Sequence, residues 1–326
     1  MKVLTALFGP VDAVDRAQAL KEAGAAGVFT FEGPHDVFAP LTLATRVGGL
    51  DLMTNVAIAF PRNPIQLAHQ AWDHQLLSGG RFTLGLGTQI RTQIEKRYGA
   101  SFDRPVARIS ELVGALRAIF DVWQNGGRLD FRGEFYRHTL MTPTFNPGPN
   151  PHGPPPIYVG ALGPRLTRAT ARIADGLLVM PFCSTRFLRE STMPAVREGL
   201  AGRTGFAVVP EVIVSAGADH DAARRLLAFY GSTPAYRAVL DVHGWGELQP
   251  GLNAMSKQGR WAEMAGLISD EVLHTIAACG TPAQIAAAIR ERLAAADGMA
   301  DTVCLYQPGP IAGDVLAGLV DELARG

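Results

Sequence analysis

The sequence has no excess of charge of either sign. Of its 326 residues, 30 are Lys or Arg and 30 are Asp or Glu, so the formal net charge at pH 7 is +0. Surfaces that bind nucleic acid or an anionic membrane normally show as a basic excess. The balance therefore predicts that neither nucleic acid nor a membrane is a partner.

Cysteine is scarce, and long apolar runs are missing. The three cysteines, Cys183, Cys279 and Cys304, are too few and too scattered for a disulfide framework or a zinc site. No apolar run approaches the roughly 20 residues that span a bilayer. The short N-terminal apolar run stops at Pro10, so we interpret it as a buried first strand, with a signal peptide as the alternative. These shortages predict a protein of the reducing cytoplasm.

What the sequence does contain is a strand–helix–strand unit between residues 53 and 88. An apolar strand ends at Pro61, a segment with apolar residues at helical spacing follows, and a second apolar strand covers residues 82–86. Strands that are apolar along their whole length are typical of parallel sheets covered on both faces. Because ligands bind at the carboxyl ends of such strands, we expect the functional residues directly after the strands.

The same alternation continues along the chain. Strands are predicted to begin near residues 3, 27, 53, 82, 157, 177, 207 and 302, with helices between them. Eight parallel strands with interleaved helices predict a (β/α)8 TIM barrel. We expect one domain over residues 1–326, with a helical insertion at about residues 217–280 between strands seven and eight. Residues 130–136 are predicted to form a hairpin around Gly133, and residues 145–156 a loop inside the domain rather than a linker.

A series of short motifs runs in a fixed order across nearly the whole chain. They are Thr54-Asn55-Val56, Arg62-Asn63-Pro64, Ser78-Gly79-Gly80-Arg81-Phe82, Leu84-Gly85-Leu86-Gly87-Thr88, Gly133-Glu134-Phe135-Tyr136, residues 155–160, Ala174-Asp175-Gly176 and Gly280-Thr281-Pro282. Together they resemble the bacterial luciferase-like family. Residues 87–97 and residues 232–245 further resemble members of that family that use the deazaflavin coenzyme F-420.

This resemblance implies an activity. We expect an oxidoreductase that transfers a hydride between C5 of coenzyme F-420 and a small organic substrate, at a C=C or C=N bond or between an alcohol and a carbonyl. FMN-dependent members share most of the motifs, so an FMN-dependent luciferase-like monooxygenase is the alternative. A non-catalytic barrel that binds a cofactor is a second alternative. Homodimers are common in the family, so a homodimer is expected.

The resemblance also indicates where the cofactor binds. It implies a bulge in strand three, with a non-proline cis peptide bond between Asn55 and Val56 against the ring. After strand five, a glycine turn leads into a helix N-terminus, where backbone N–H groups form a natural seat for an anion, and the family uses this place for the cofactor phosphate. The expected cofactor-binding residues are therefore Asn55, Val56, Thr88, Gly160, Ala161, Gly163 and Arg165.

Three ionisable residues, Glu32, His35 and Asp36, cluster after the second strand. A hydride delivered to a polarised double bond leaves a developing negative charge or an amine that needs a proton, and a positioned His, Glu or Asp supplies it. We therefore predict these three residues as the catalytic group, without a metal. The alternative is that His35 and Asp36 cap local structure.

Other positions sharpen the prediction. Ile90 stands where the deazaflavin sugar-phosphate dehydrogenases of this family place an acid, which argues against that activity here. Cys183 follows a strand and is predicted either to line the pocket or to pack in the core. His243 and Trp245 lie in the insertion and are candidates for substrate contact.

Overall fold

Eight parallel strands close into a barrel in the computed structural model, which describes residues 1–309 and 311–325. In chain order the strands are β1 (Lys2–Ala6), β2 (Gly27–Thr30), β3 (Asp51–Thr54), β4 (Phe82–Gly87), β5 (Ile157–Gly160), β6 (Gly176–Val179), β7 (Ala207–Ala216) and β8 (Thr302–Tyr306). Each strand pairs in parallel with the next, and β1 closes the ring on β8 with Lys2 opposite Thr302. The predicted (β/α)8 barrel is confirmed. Residues 310 and 326, which the expected domain of residues 1–326 includes, lie outside this description.

Helices surround the barrel and extend it. They are α1 (Ala13–Glu22), α2 (Ala39–Ala44), α3 (Pro64–Leu77), α4 (Pro105–Asn125), α5 (Pro164–Ile173), α6 (Met193–Leu200), α7 (Asp221–Gly231), α8 (Arg237–Asp241), α9 (Leu248–Lys257), α10 (Trp261–Met264), α11 (Asp270–Ile276), α12 (Pro282–Ala294) and α13 (Gly313–Ala324). Short helical turns occupy Thr45–Val47, Gln93–Arg97, Pro143–Phe145, Thr185–Phe187, Leu188–Thr192, Pro234–Tyr236 and Ala265–Leu267. Within the described residues, no helix combines the length and the apolar character needed to cross a membrane.

Local sequence sets the ends of α3. The Asn63 side chain accepts a hydrogen bond from the Ile65 N–H at 2.9 Å, and Pro64 occupies the first turn, where its missing N–H does no harm. Gly79 and Gly80 follow the helix with φ of 67° and 84°, the left-handed region that glycine tolerates best. The helix therefore starts and stops where its capping residues dictate, which fixes the path from β3 to β4.

Strand β3 does not end cleanly. A cis peptide bond between Asn55 and Val56 follows Thr54, and the two-residue strand Ala57–Ile58 then resumes the pairing with β4. The predicted cis bond is present. The Thr54 hydroxyl accepts a hydrogen bond from the Gly85 N–H at 2.9 Å and donates one to the Gly85 carbonyl at 2.8 Å. This anchor holds a bulge that presents Asn55 and Val56 at the mouth of the barrel.

The lower interior of the barrel is apolar. It is filled by Leu4, Ala6, Phe29, Met53, Leu178, Val209 and Cys304. Burying a large apolar side chain contributes roughly 1.5–3 kcal/mol, so this layer adds to the stability of the barrel. Side chains two residues apart on a strand share a face, so Asn55 follows Met53 and Glu211 follows Val209 toward the mouth. The interior therefore changes from apolar to polar at the level of Asn55 and Glu211.

Helices α7 to α11 form the insertion between β7 and β8. The predicted helical insertion is confirmed except at its end, where Ala278–Gly280 is a short strand parallel to the last residues of β7. The insertion reaches the mouth of the barrel, because Tyr230, Ala235 and Tyr236 line the cavity there.

A small hairpin lies outside the barrel on α4. Phe131–Arg132 pairs in antiparallel fashion with Arg137–His138, which confirms the predicted hairpin. The Glu111 carboxylate accepts hydrogen bonds from the backbone N–H groups of residues 134–136 at 2.6–2.9 Å. A side chain at Gly133 would overlap the Glu111 carboxylate, so glycine is required for this contact.

The proline- and glycine-rich loop before β5 packs against the barrel helices. Asn150 in this loop is 2% exposed, and its side-chain amide donates a hydrogen bond to the Trp72 carbonyl of α3 at 3.2 Å. Its backbone N–H donates to the Gln124 side chain of α4 at 3.1 Å. The loop is thus tied to two helices that precede it in sequence.

Candidate active site

A cavity of about 440 Å³ opens at the carboxyl ends of the barrel strands. This is the face where the strand-to-helix loops of a parallel barrel meet and where its ligands bind. The cavity is lined by Phe31, Glu32, Asn55, Val56, Ile58, Gly87, Thr88, Gln89, Ile90, Gly160, Ala161, Leu162, Gly163, Leu166, Leu178, Met180, Pro181, Glu211, Tyr230, Ala235, Tyr236 and Tyr306. Its size is in the usual range for a small-molecule or cofactor site.

One wall of the cavity is formed by the bulge after β3. Val56 lies against Gly87 of β4 and Gly160 of β5: a Cβ at Gly87 would overlap Val56 Cγ2, and a Cβ at Gly160 would lie 3.2 Å from Val56 Cγ1. Glycine at both positions therefore lets the bulge seat against the neighbouring strands without intervening side chains. The structure brings Asn55, Val56, Thr88 and Gly160 together on the cavity, as a shared binding role requires.

The loop after β5 leads into the N-terminus of α5. Gly163 is the N-cap residue, and no side chain caps the first turn. The first N–H groups of a helix have no partner within the helix, so this turn presents unpaired donors and the positive end of the helix dipole. Ala161 and Gly163 line the cavity. Arg165 lies exposed in the first turn and is not among the described residues that line it.

Glu32 lines the cavity just after β2 and is tied to the bulge. Its two carboxylate oxygens accept hydrogen bonds from Arg62 Nη1 and Nη2 at 2.8 and 2.9 Å, and one of them also accepts from the Ile58 N–H at 3.1 Å. Both side chains are largely buried, with 17% of Arg62 and 11% of Glu32 exposed. Glu32 therefore holds the resumed part of β3 in place, and both its oxygens are occupied.

The structure places His35 and Asp36 away from this cavity. Asp36 Oδ1 accepts hydrogen bonds from the Phe38 and Ala39 N–H groups at 2.9 and 2.8 Å, at the start of α2. The exposed His35 ring lies against Gly9, where a Cβ would be 2.8 Å from its Cδ2. Neither residue is among the described residues that line the cavity. Of the three predicted catalytic residues, the structure thus brings only Glu32 to the site.

Sequence reasoning missed a second carboxyl group, Glu211 on the inner face of β7. It is 5% exposed, and its Oε2 accepts a hydrogen bond from Asn55 Nδ2 at 3.1 Å. Burial raises the pKa of Glu211 to about 8, and the hydrogen bond from Asn55 acts in the opposite direction. The carboxyl group is therefore protonated at neutral pH. The available signal was a single acidic residue within the apolar strand of residues 207–214.

Three tyrosines face the same space. Tyr230 and Tyr236 come from the insertion, and Tyr306 ends β8. Burial, followed by the nearby Glu211, raises the pKa of Tyr306 to about 12, and burial raises the pKa of the other two phenols. Tyr306 also packs edge-on against Phe31, with ring centroids 5.3 Å apart. The polar groups of the cavity are thus mostly neutral hydrogen-bonding groups set in an aromatic wall.

Cys183, His243 and Trp245 are not among the described residues that line the cavity. Cys183 is buried in the core beneath the insertion, where burial raises the pKa of its thiol to about 11. His243 Nε2 lies 2.7 Å from the Ser184 hydroxyl, and its ring stacks on Trp245 with centroids 4.5 Å apart. These contacts join the insertion to the loop after β6.

Comparison with known proteins finds relatives that match most of the chain. An uncharacterized protein of Mycobacterium tuberculosis is 46% identical over 303 residues, which cover 89% of this chain and 88% of the relative. The 5,10-methylenetetrahydromethanopterin reductase of Archaeoglobus fulgidus is 28% identical over 272 residues, with coverage of 78% and 77%.

A solved structure shares the whole fold. The coenzyme F-420-dependent tetrahydromethanopterin reductase of Methanopyrus kandleri superposes with a TM-score of 0.83 at 19% identity, covering 99% of this chain and 98% of that one. The family model of the luciferase-like monooxygenases matches residues 3–299 of the chain. With its closed barrel, its bulge at Asn55 and this match over most of its length, the chain belongs to the luciferase-like monooxygenase family.

Proposed function

We propose that this protein is a coenzyme F-420-dependent oxidoreductase that transfers a hydride between C5 of the deazaflavin and a small organic substrate. The observation that carries the proposal is the bulge wall of Val56, Gly87 and Gly160 beside the uncapped N-terminus of α5. A planar ring system needs a wall without protruding side chains, and its phosphate needs unpaired donors. The cavity offers the two next to each other.

The residues present fit the group. Side chains at Gly87 or Gly160 would displace Val56 and fill the space beside the bulge. Glycine at these two positions keeps that space open for the cofactor ring. Gly163 adds no side chain to the anion seat at the start of α5. The F-420-dependent reductase of Methanopyrus kandleri, which shares the fold, supports F-420 as the cofactor.

The cavity residues would bind the cofactor, orient its ring and exclude water. Bound here, the deazaflavin supplies a hydride carrier that has carbon at position five and reacts poorly with oxygen. Val56 and Gly160 orient the ring, and the amides at the start of α5 hold the phosphate. Tyr230 and Tyr236 of the insertion line one side of the cavity and would help to exclude water from the bound ring, which protects the hydride from side reactions.

An FMN-dependent monooxygenase is the competing function, because the family is described as luciferase-like monooxygenases. Fluorescence titration of the purified protein with F-420 and with FMN separates the two. We expect F-420 to bind more tightly and its reduced form to be reoxidised by an organic acceptor. Tighter binding of FMN, with productive oxygen consumption by the reduced flavin, would establish the monooxygenase. Failure of every acceptor would support a non-catalytic barrel.

The phosphate seat is tested by placing a negative charge at Gly163. No atom lies within 4 Å of a Cβ built there, and the backbone has the extended conformation of an N-cap, so Asp and Asn both fit. Both residues also cap helices well, so the free energy of unfolding should not fall. We expect Gly163→Asp to weaken F-420 binding by about tenfold, or roughly 1.4 kcal/mol, through repulsion of the phosphate.

Two matched variants isolate the charge. Gly163→Asn introduces the same shape without charge and should bind nearly as the wild type does. Gly251→Asp places the same charge on the exposed surface of α9 and should have no effect. If Asp and Asn at position 163 weaken binding equally, the phosphate is not held at this turn.

A further inference from the structure

At the floor of the cavity, a hydrogen bond between two side chains crosses the barrel. Asn55 extends from the bulge after β3 and Glu211 from β7, strands that lie on opposite sides of the eight-stranded ring. The bond from Asn55 Nδ2 uses only Oε2 of Glu211. Within the described residues, Oε1 has no hydrogen-bond partner, and this atom is not fully shielded from solvent. A carboxyl oxygen at the bottom of a cavity with no protein partner is available to a ligand.

No positive charge in the cavity compensates a negative charge on Glu211. The described lining contains no Lys, Arg or His, and the Glu32 carboxylate near the rim is matched by Arg62 outside the lining. An anionic Glu211 would therefore be both desolvated and unpaired, which is strongly unfavourable.

The other groups packed around Glu211 are neutral. Tyr306 and Cys304 face it from β8 and Tyr230 faces it from α7, and burial raises the pKa of all three. β6 contributes the apolar Leu178 and Met180. Glu211 is consequently the first of these groups to lose its proton as the pH rises.

Taking the proposed hydride transfer as given, we propose that Glu211 donates the proton of the reaction through Oε1, and that the acceptor is the carbonyl oxygen of an uncharged substrate on the cavity floor. The carbonyl carbon accepts the hydride of the reduced deazaflavin, the C=O π bond breaks, and its electron pair moves to oxygen. The Oε1–H bond breaks and the new O–H bond forms, which leaves an alcohol, a Glu211 carboxylate and the oxidised cofactor. Solvent returns the proton to Glu211 when the alcohol leaves.

The lining selects the substrate class. A carboxylate or phosphate on the substrate would find no cation in the described lining and would meet the Glu211 charge as it develops. The surfaces above the floor are aromatic, because Phe31 and Tyr306 line the cavity and pack edge-on against each other. A neutral ketone or aldehyde with an apolar body satisfies these walls, and its carbonyl oxygen accepts a hydrogen bond from the neutral carboxyl group.

The protonation state is tested without any cofactor. Infrared spectroscopy of the apoprotein should show the C=O band of a protonated buried carboxylic acid at pH 6.5, and the band should disappear as the pH rises through about 8. Glu211→Gln should lack the band, while Glu247→Gln on the exposed surface should retain it. Absence of this titrating band from the wild type would overturn the proposal.

The role is tested by turnover with cyclohexanone and acetophenone as probes, followed by reoxidation of reduced F-420. Glu211→Gln still accepts the bond from Asn55 but has no acidic proton, so we expect a turnover lower by roughly 10²–10⁴-fold with unchanged F-420 affinity. The wild-type rate should fall above about pH 8, and the rate of the variant should not. Glu247→Gln should behave as the wild type does, and pyruvate, an anionic ketone, should be a much poorer substrate.

The outcomes separate this proposal from the one on which it rests. If F-420 does not bind the wild type, the proposed function fails and the carbonyl step fails with it, whatever the infrared band shows. If F-420 binds but Glu211→Gln weakens that binding as much as it slows turnover, Glu211 contacts the cofactor and the proton-donor role is overturned. Equal turnover by variant and wild type, or no turnover of either neutral ketone, also overturns it.

Discussion

Glu32 stands at the rim of the cavity and Glu211 at its floor, and the barrel treats these two carboxyl groups in opposite ways. Glu32 meets a guanidinium group edge to edge, with two bonds from Arg62 and one from the Ile58 N–H. Glu211 meets one uncharged amide, that of Asn55, and is otherwise surrounded by apolar and neutral groups. Each is largely buried, so burial alone does not separate them.

The difference shows that the partner determines the chemistry of a buried carboxyl group. A buried carboxylate that is paired with an opposite charge and several donors is a structural link. Removing it leaves the partner charge buried without compensation, which is strongly destabilising. A buried carboxyl group without a countercharge keeps its proton and becomes an acid. The cavity therefore has a rim that is fixed by charge and a floor that is able to exchange a proton.

The largest effect is expected when the charge pair at the rim is broken. Arg62→Met leaves Glu32 buried without its partner, so the free energy of unfolding should fall by about 3–5 kcal/mol. Urea denaturation measures the loss. Combining Arg62→Met with Glu32→Gln should recover a large part of it, because no unpaired charge remains.

A second ion pair serves as the control for that variant. Arg81 pairs with Asp51 at 3.0 Å, but 43% of its side chain is exposed. Arg81→Met should therefore cost no more than about 1 kcal/mol. Equal losses for Arg62→Met and Arg81→Met would show that the rim pair is no more important than a surface pair, and the contrast with the floor would disappear.

The next effect comes from the pH dependence of stability at the floor. The pKa of Glu211 is about 8 in the folded protein, above its ordinary value of 4.5, so the folded state holds one proton more than the unfolded state between these values. Stability from this group is complete below about pH 4.5 and is lost as the pH rises through 8. The slope should approach about 1.4 kcal/mol per pH unit within that window.

Thermal unfolding between pH 5 and 9 measures this slope, and Glu211→Gln should remove it because glutamine does not titrate. Glu247→Gln, which changes an exposed carboxylate, should keep the wild-type slope. If the wild type and the Glu211→Gln variant showed the same pH dependence of stability, Glu211 would not have a raised pKa. The contrast between Glu211 and Glu32 would then be lost.

The barrel was predictable because its strands carry a strong local signal. Parallel strands covered on both faces are apolar from end to end, and polar residues such as Arg62 and Thr88 mark where they stop. The short strand Ala278–Gly280 was missed, because three residues between two helices are too few to show a pattern.

The uniformly apolar character of the strands also made Glu211, at the floor of the cavity, hard to identify from the sequence. In a strand that is apolar on both faces, no alternation tells which side chains point inward, so a single Glu at position 211 gives no direction. Its partner Asn55 is 156 positions away in sequence, and only closure of the ring brings them together. Proximity to a strand end also suggested His35, Asp36 and Arg165, but these three side chains are exposed and lie outside the described cavity lining.

The smallest effect is expected at Asp36, a carboxylate still farther out than Glu32. Its contacts are the two N–H groups that begin α2, so Asp36→Ala should lower the free energy of unfolding by about 1 kcal/mol, as the loss of a helix cap does. Asp36→Asn keeps the acceptor oxygen and should be nearly as stable as the wild type. Reoxidation of reduced F-420 by cyclohexanone should be unchanged in both variants, because Asp36 does not reach the described lining of the cavity. A large loss of turnover in the correctly folded Asn variant would instead move the acid from the floor of the barrel to its rim.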